Sequence, residues 1–208
     1  MQGATKILPT DAIDMPFARR MLYTPVFHLD TNLINAKQRL AEVNRLENWA
    51  ANEVILIIMS GVAHAEAQAD GNPHRVKKAA THIFTIHSAD EGDESDATAG
   101  ETDQLLAKVE ATLFECGAQN DNQHNDVRIV CEAIKYQATL VTNDGASKSQ
   151  PGGILGNRTK LKAFANIEIM SPAEAVSFVE KKIAERDGGN VRMAQETGKT
   201  LPAWTGTD

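Results

Sequence analysis

Four acidic residues in this sequence have local contexts that suit metal chemistry. Asp30 and Asp144 each close a short β-like run, Glu66 lies in a helix-like segment after the most apolar run of the chain, and Asp126 opens a helix-period pattern. In an open α/β sheet, strand ends and the helices that follow them meet at the carboxyl edge, where ligands bind. Carboxylate oxygens are the ligands that Mg²⁺ and Mn²⁺ prefer. The four acids therefore predict a divalent-cation site at that edge.

Periodic patterns predict the elements that must position these acids. Apolar or alternating runs predict strands at 26–30, 53–59, 82–87, 139–142 and 167–170, and helix-period patterns predict helices at 37–51, 61–69 and 72–80 and from 102, 126 and 171 onward. Ser171, Pro172 and Glu174 form a capping box with proline at the first helical position. Residues 145–156 are rich in Gly and Ser and predict a loop. The alternation indicates a parallel sheet with helices on both faces.

Four segments of the chain resemble, in order, the four acidic motifs of the PIN-domain nucleases. They are LDTNLI around Asp30, VILIIMSGVAHAE ending at Glu66, NDVRIVCEAI around Asp126 and LVTND ending at Asp144. The resemblance spans roughly residues 25 to 186 and includes the final segment IEIMSPAEAVSFV. It implies a three-layer α/β/α sandwich with a central, mainly parallel sheet of about five strands. It also implies an endoribonuclease that uses Mg²⁺ or Mn²⁺ and leaves 5′-phosphate and 3′-hydroxyl ends.

Under this resemblance the four acids would be both the catalytic residues and the metal ligands. Asp30 and Asp126 would bind the ion directly, and Glu66 and Asp144 directly or through water. Small polar residues beside the acids would orient ligands or phosphate, or only make turns and caps: Thr31, Asn32, Thr142 and Asn143. Basic residues that would contact RNA phosphates, or only cover solvated helix faces, are Lys37, Arg39, Arg75, Lys77, Lys78 and Lys148.

The charge of the chain is unevenly distributed. The net charge is −7, but residues 88–104 hold seven acids and no Lys or Arg, which leaves 28 − 7 = 21 acids against 21 bases elsewhere. A neutral body with basic clusters still binds a phosphate backbone. Segment 88–101 is expected to be a mobile acidic insert, because residues 88–100 carry no aromatic or branched apolar side chain. Residues 1–24 are expected to be an N-terminal extension, 25–186 the single domain and 187–208 a C-terminal tail.

Hydropathy and cysteine usage favour a cytoplasmic protein. The longest strongly apolar run, 54–59, is far shorter than the ~20 residues that cross a bilayer, so no membrane partner is expected. The start of the chain lacks the layout of a signal peptide. Cys116 and Cys131 lie in helix-period patterns, so buried thiols are expected and not a disulfide.

Several functions stay open on this sequence. Within the nuclease interpretation, the protein is a toxin restrained by an antitoxin or another protein partner, or an RNA-processing enzyme, and a homodimer is compatible with both. A catalytically silent PIN-fold module that binds RNA or protein is disfavoured by the four intact acids. A phosphatase-like or receiver-like acidic pocket on another α/β fold would need a nucleophilic aspartate motif or a switch lysine, and the sequence shows neither. His64 and Glu66 fit half of a zinc deaminase motif, but no P-C-x-x-C follows.

Overall fold

The computed structural model describes residues 16–34, 37, 39–69, 71–74, 76–77, 84–86, 96–146 and 152–208. The predicted substrate contacts Arg75, Lys78 and Lys148 lie outside these ranges. Residues 1–15 of the predicted N-terminal extension and residues 88–95 of the predicted acidic insert also lie outside them.

Five short strands form one parallel sheet. They are β1 Phe27–Leu29, β2 Ile57–Ser60, β3 Phe84–Ile86, β4 Thr139–Val141 and β5 Ile169–Met170. Their order is β3-β2-β1-β4-β5, and every neighbouring pair is parallel. All residues of β1, β2 and β4 are buried, which explains why they read as apolar runs and not as alternating patterns. The five predicted strands are confirmed, with β3 at an edge of the sheet.

Helices cover the sheet in two packed groups. They are α1 Ala41–Ala51, α2 Gly61–Ala69, α3 Asp96–Leu113, α4 Asp121–Lys135, α5 Gly153–Ala165 and α6 Pro172–Thr197. In one group α1 packs against α6, and in the other α3 packs against α4 and α5, with α2 against α4. The three-layer α/β/α architecture is therefore confirmed. Within the described ranges, every helix is too short or too polar to cross a membrane.

Helix α4 begins five residues earlier than its apolar pattern predicts. The side chain of Asn120 accepts a hydrogen bond from the N–H of Gln123 at 3.1 Å and so caps the helix. The first turn is polar, so the hydrophobic period starts only at Val127. The prediction that Asp126 opens this helix is wrong, because Asp126 lies in its second turn.

Four other differences are found, and the first three concern segments in which apolar periodicity is weak. Helix α3 begins at Asp96, so residues 96–101 of the predicted insert are helical. Helix α5 begins inside the predicted loop 145–156 and has no predicted counterpart. Helix α6 continues through Gly188 and Gly189, so residues 187–197 are not a tail. Cys131 is buried as expected, whereas Cys116 is exposed and follows the end of α3.

A polar cluster attaches residues 198–208 to α6 and to the residues before β1. The guanidinium of Arg186 bonds Asp187 at 2.8 Å and Asp208 at 2.9 Å, and it lies 4.4 Å from the ring centre of Trp204. Arg20 also pairs with Asp208, and the backbone oxygen of Arg20 accepts from Arg186. Both ends of the described chain therefore pack on α6.

Candidate metal centre

The central strands bring Asp30 and Asp144 to one edge of the sheet. The N–H of Asp30 donates to the carbonyl of Val141 at 3.0 Å, which continues the β1–β4 pairing past the end of β1. The hydroxyl of Thr142 donates to Asp30 Oδ2 at 2.6 Å and accepts from the N–H of Asp144 at 2.9 Å. One threonine therefore connects the two acidic strand ends.

Helices α2 and α4 supply the other two acids. Glu66, in the second turn of α2, accepts a hydrogen bond from Thr31 Oγ1 at 2.6 Å on one carboxylate oxygen. Its other oxygen accepts from Asn125 Nδ2, also at 2.6 Å. Asn125 immediately precedes Asp126 on α4, so the same turn of this helix reaches Glu66 and carries the fourth acid.

Burial and mutual repulsion raise the pKa of two of these acids. Burial raises the pKa of Asp30 to about 6; hydrogen bonds from Thr142 and Asn32 oppose the rise, and the charges of Asp144 and Glu66 add to it. Burial also raises the pKa of Asp126 to about 7, and the charges of Asp30, Asp144 and Glu66 contribute. The hydrogen bonds through Thr142, Thr31 and Asn125 place the four predicted acids in one region, and this repulsion is its electrostatic consequence.

The carboxylate of Asp144 also begins helix α5. Its Oδ2 accepts from the N–H of Ile154 at 2.8 Å, and its backbone oxygen accepts from the N–H of Leu155 at 3.0 Å. Gly153 has a φ of +54°, and a Cβ there would lie 2.8 Å from both carboxylate oxygens. Only glycine permits this approach without strain, so α5 starts directly against the acid.

The donor set fits a hard divalent cation, although the carboxylates do not form a complete cage. The acids, threonines and asparagines of this cluster offer oxygen ligands, as Mg²⁺ and Mn²⁺ require. In the part of the chain that the structure describes, no group of three or more His, Cys, Asp or Glu side chains is arranged to hold a metal as it stands. Mg²⁺ is commonly held by one or two carboxylates and keeps several waters, so fewer than three direct ligands suffice.

Three of the four small polar residues predicted to assist the acids contact them. Thr31 and Thr142 bond Glu66 and Asp30 as described, and Asn32 Nδ2 donates to Asp30 Oδ2 at 2.7 Å. Asn143 is exposed and makes no hydrogen bond to an acid within the described residues. Of the basic residues, Lys37, Arg39 and Lys77 are exposed, and their contact with substrate stays a prediction.

Two polar residues of α4 contribute to the site without a motif that identifies them. One is Asn125, which bonds Glu66. The other is Glu132, whose carboxylate lies beside Ser60 and Gly61 and whose pKa burial raises; its Oε2 is buried and has no hydrogen-bond partner among the described residues. The hydroxyl of Ser60 in turn accepts from the N–H of Ala63 at 2.9 Å. The seven-residue spacing of Asn125 and Glu132, which places them on one helix face, is the only signal in the sequence.

Two surface clefts lie away from the acids. A cleft of about 550 Å³ lies beside β5 and α5, and its cations Arg158 and Lys162 are ion-paired with Glu174 and Glu168. A second, of about 540 Å³, lies between residues 18–23 and α6. None of the four acids lines either cleft.

The fold and the site together define a parallel α/β/α protein with four carboxylates at the carboxyl edge of its sheet. No family model and no curated protein matches the sequence. The solved structures that are similar include VapBC2 from Rickettsia felis bound to a promoter DNA fragment, with 22% identity, coverage of 70% of this chain and 98% of that chain, and a TM-score of 0.42. VapBC-1 from nontypeable Haemophilus influenzae has 14% identity, 71% and 98% coverage and a TM-score of 0.42. FitAB bound to an IR36 DNA fragment has 16% identity, 70% and 94% coverage and a TM-score of 0.39. Similarity at this level identifies no function.

Proposed function

We propose that this protein is a PIN-domain nuclease that hydrolyses RNA phosphodiester bonds with Mg²⁺ or Mn²⁺. The observation that carries the proposal is the convergence of Asp30, Glu66, Asp126 and Asp144, which come from four different parts of the fold and are connected through the hydrogen bonds of Thr142, Thr31 and Asn125. Four carboxylates this close are unfavourable without a cation, because each raises the free energy of its ionised neighbours. Asp126 shows this most clearly, since its pKa of about 7 leaves a large fraction protonated at neutral pH.

The hydrogen bonds of the site suggest a division of roles among the acids. Asp126 accepts no hydrogen bond from any described residue, so its carboxylate is available as a direct ligand. Thr142 and Asn32 both bond Oδ2 of Asp30 and so orient this second ligand. Glu66 and Asp144 are held by protein donors and would act directly or through water. A divalent ion bound here would supply an activated water and stabilise negative charge on the scissile phosphate.

The partners of this nuclease follow from the resemblance and not from the geometry. RNA is the proposed substrate, and an antitoxin or another regulating protein, a homodimer and a cytoplasmic location stay predictions. The toxin and RNA-processing versions of the function share the same acidic site. They differ in the RNA that is cut, which RNA crosslinked to a metal-site variant would identify.

The proposal is tested by Asp126→Asn with Asp121→Asn as the matched control. Asp121 is an exposed acid in the first turn of the same helix, so its replacement removes one charge outside the cluster. With Mn²⁺, the wild-type protein and Asp121→Asn are expected to cleave RNA to 5′-phosphate ends. Asp126→Asn is expected to lose activity by about 100-fold or more, since several kcal/mol of transition-state stabilisation depend on the ion.

Two results would count against the proposal. If Asp126→Asn cleaves as fast as the wild type, these acids are not the active site. If the wild-type protein binds RNA but does not cleave it with either metal, the protein is a catalytically silent binding module and not a nuclease.

A further inference from the structure

Both oxygens of the Glu66 carboxylate are held by neutral donors from other elements. Thr31, in the turn after β1, donates to Oε2, and Asn125, on α4, donates to Oε1, each at 2.6 Å. A carboxylate bonded on both oxygens has little freedom to rotate, so its position is set by its two donors. Asn125 is the donor that ties Glu66 to the helix of Asp126.

A second carboxylate of α4 lies beside the start of α2. Glu132 lies seven residues after Asn125, which is two turns and about 10.5 Å along α4 on the same face. Its carboxylate lies beside Ser60 and Gly61, at the start of α2. Helix α2 therefore packs against α4 from its first residue and is hydrogen-bonded to it at Glu66.

The chemical type of the donor matters as much as its location. A lysine or arginine at position 125 would form an ion pair with Glu66 and cancel part of the negative charge of the site. The amide of Asn125 makes a strong hydrogen bond to the carboxylate and carries no net charge. Glu66 is thus held in place while its full charge remains available to a cation.

We infer that Asn125 is a positioning residue of the cation site, which fixes the Glu66 carboxylate beside Asp126 without neutralising it. This inference rests on the proposed metal-dependent function. It assigns a role to a residue outside the four acidic motifs and predicts that the contribution of Asn125 passes through Glu66.

The test is the affinity of the full-length protein for Mn²⁺ alone, measured by titration calorimetry without RNA. Four variants are compared with the wild type: Asn125→Ala, Asn122→Ala, Glu66→Gln and the double variant Asn125→Ala/Glu66→Gln. Asn122 is an exposed asparagine one turn earlier on α4, so Asn122→Ala makes the same chemical change away from Glu66. Urea unfolding of each variant confirms that it is folded at the temperature of the titration.

Asn125→Ala is expected to weaken Mn²⁺ binding about 10-fold or more, as is typical when a residue that orients a ligand is removed. Asn122→Ala is expected to stay within about 2-fold of the wild type. The double variant is expected to bind as Glu66→Gln does, because Asn125 has no further effect once its partner has changed. If Asn125 had only a structural role, the loss of Mn²⁺ affinity in the double variant would instead be the product of the losses in the two single variants.

The outcomes separate this inference from the function on which it rests. If the wild type binds Mn²⁺ and Asn125→Ala binds it equally well, or if the losses multiply in the double variant, the positioning role is overturned and the nuclease proposal stands. If the wild-type protein binds no Mn²⁺, the proposed function itself is overturned, and the positioning role with it.

Discussion

Replacing Asp126 by asparagine is expected to stabilise the metal-free protein at pH 8. The pKa of Asp126 is about 7 in the folded protein, against an ordinary value of 3.8, because the half-buried carboxylate is partly desolvated and lies near the charges of Asp30, Asp144 and Glu66. An acid with a raised pKa binds its proton more tightly in the folded than in the unfolded state. The stabilisation that this proton gives the folded protein is therefore complete below pH 3.8 and is lost as the pH rises through about 7.

The size of the effect follows from the two pKa values. The difference between 3.8 and about 7 corresponds to about 4 kcal/mol at 1.36 kcal/mol per pKa unit. Asp126 is half-buried, so solvent screening reduces this penalty to about 2 kcal/mol. Asparagine has nearly the same shape and no charge. The gain for Asp126→Asn should therefore be about 2 kcal/mol at pH 8 and should shrink towards zero as the pH falls to about 4.

Urea unfolding with a chelator present, at pH 8 and at pH 5, measures this gain. Asp121→Asn is again the control, and it is expected to have the opposite sign, because an acid in the first turn of a helix stabilises it by about 0.3–1 kcal/mol. Saturating Mn²⁺ should reverse the order of wild type and Asp126→Asn, since a cation removes the repulsion only when the carboxylate is present. No gain at pH 8, or an equal gain at both pH values, would refute a crowded acidic site.

Three further predictions concern the free energy of unfolding measured in urea. Gly153→Ala should lose about 1–3 kcal/mol of stability, since its Cβ would collide with Asp144 at a φ of +54°. Gly188→Ala, in open space within α6, should gain about 0.5–1 kcal/mol. Equal urea midpoints for the two variants would contradict both expectations. Ser171→Ala should cost about 1 kcal/mol through loss of the α6 capping box, and an unchanged midpoint would show that the cap is dispensable. Asp208→Asn should cost about 1–3 kcal/mol because it removes the charge that pairs with Arg20 and Arg186 and replaces one acceptor oxygen by an NH2 group. Wild-type stability would mean that the ion pairs of Asp208 do not hold residues 198–208.

The sequence by itself determines the strands, the acids that follow them and the last helix cap. These features are local: an apolar run of four to six residues predicts a buried strand, and Ser171, Pro172 and Glu174 encode a helix start within four positions. The order of strand and helix then places Asp30 and Asp144 at one edge of a parallel sheet, whatever the details of packing. For this reason the proximity of Asp30 and Asp144 is predictable without coordinates.

The tertiary structure alone decides which donors hold the acids and where several helices begin and end. Thr142 reaches Asp30, and Asn125 reaches Glu66, only because β1 pairs with β4 and α2 packs on α4. Helix α5 starts on the Asp144 carboxylate, and α6 continues past two glycines that are flanked by Arg186, which bonds Asp208, and Asn190, which bonds Ala18. Such contacts join residues far apart in sequence, and their free energy depends on distances that no local pattern encodes.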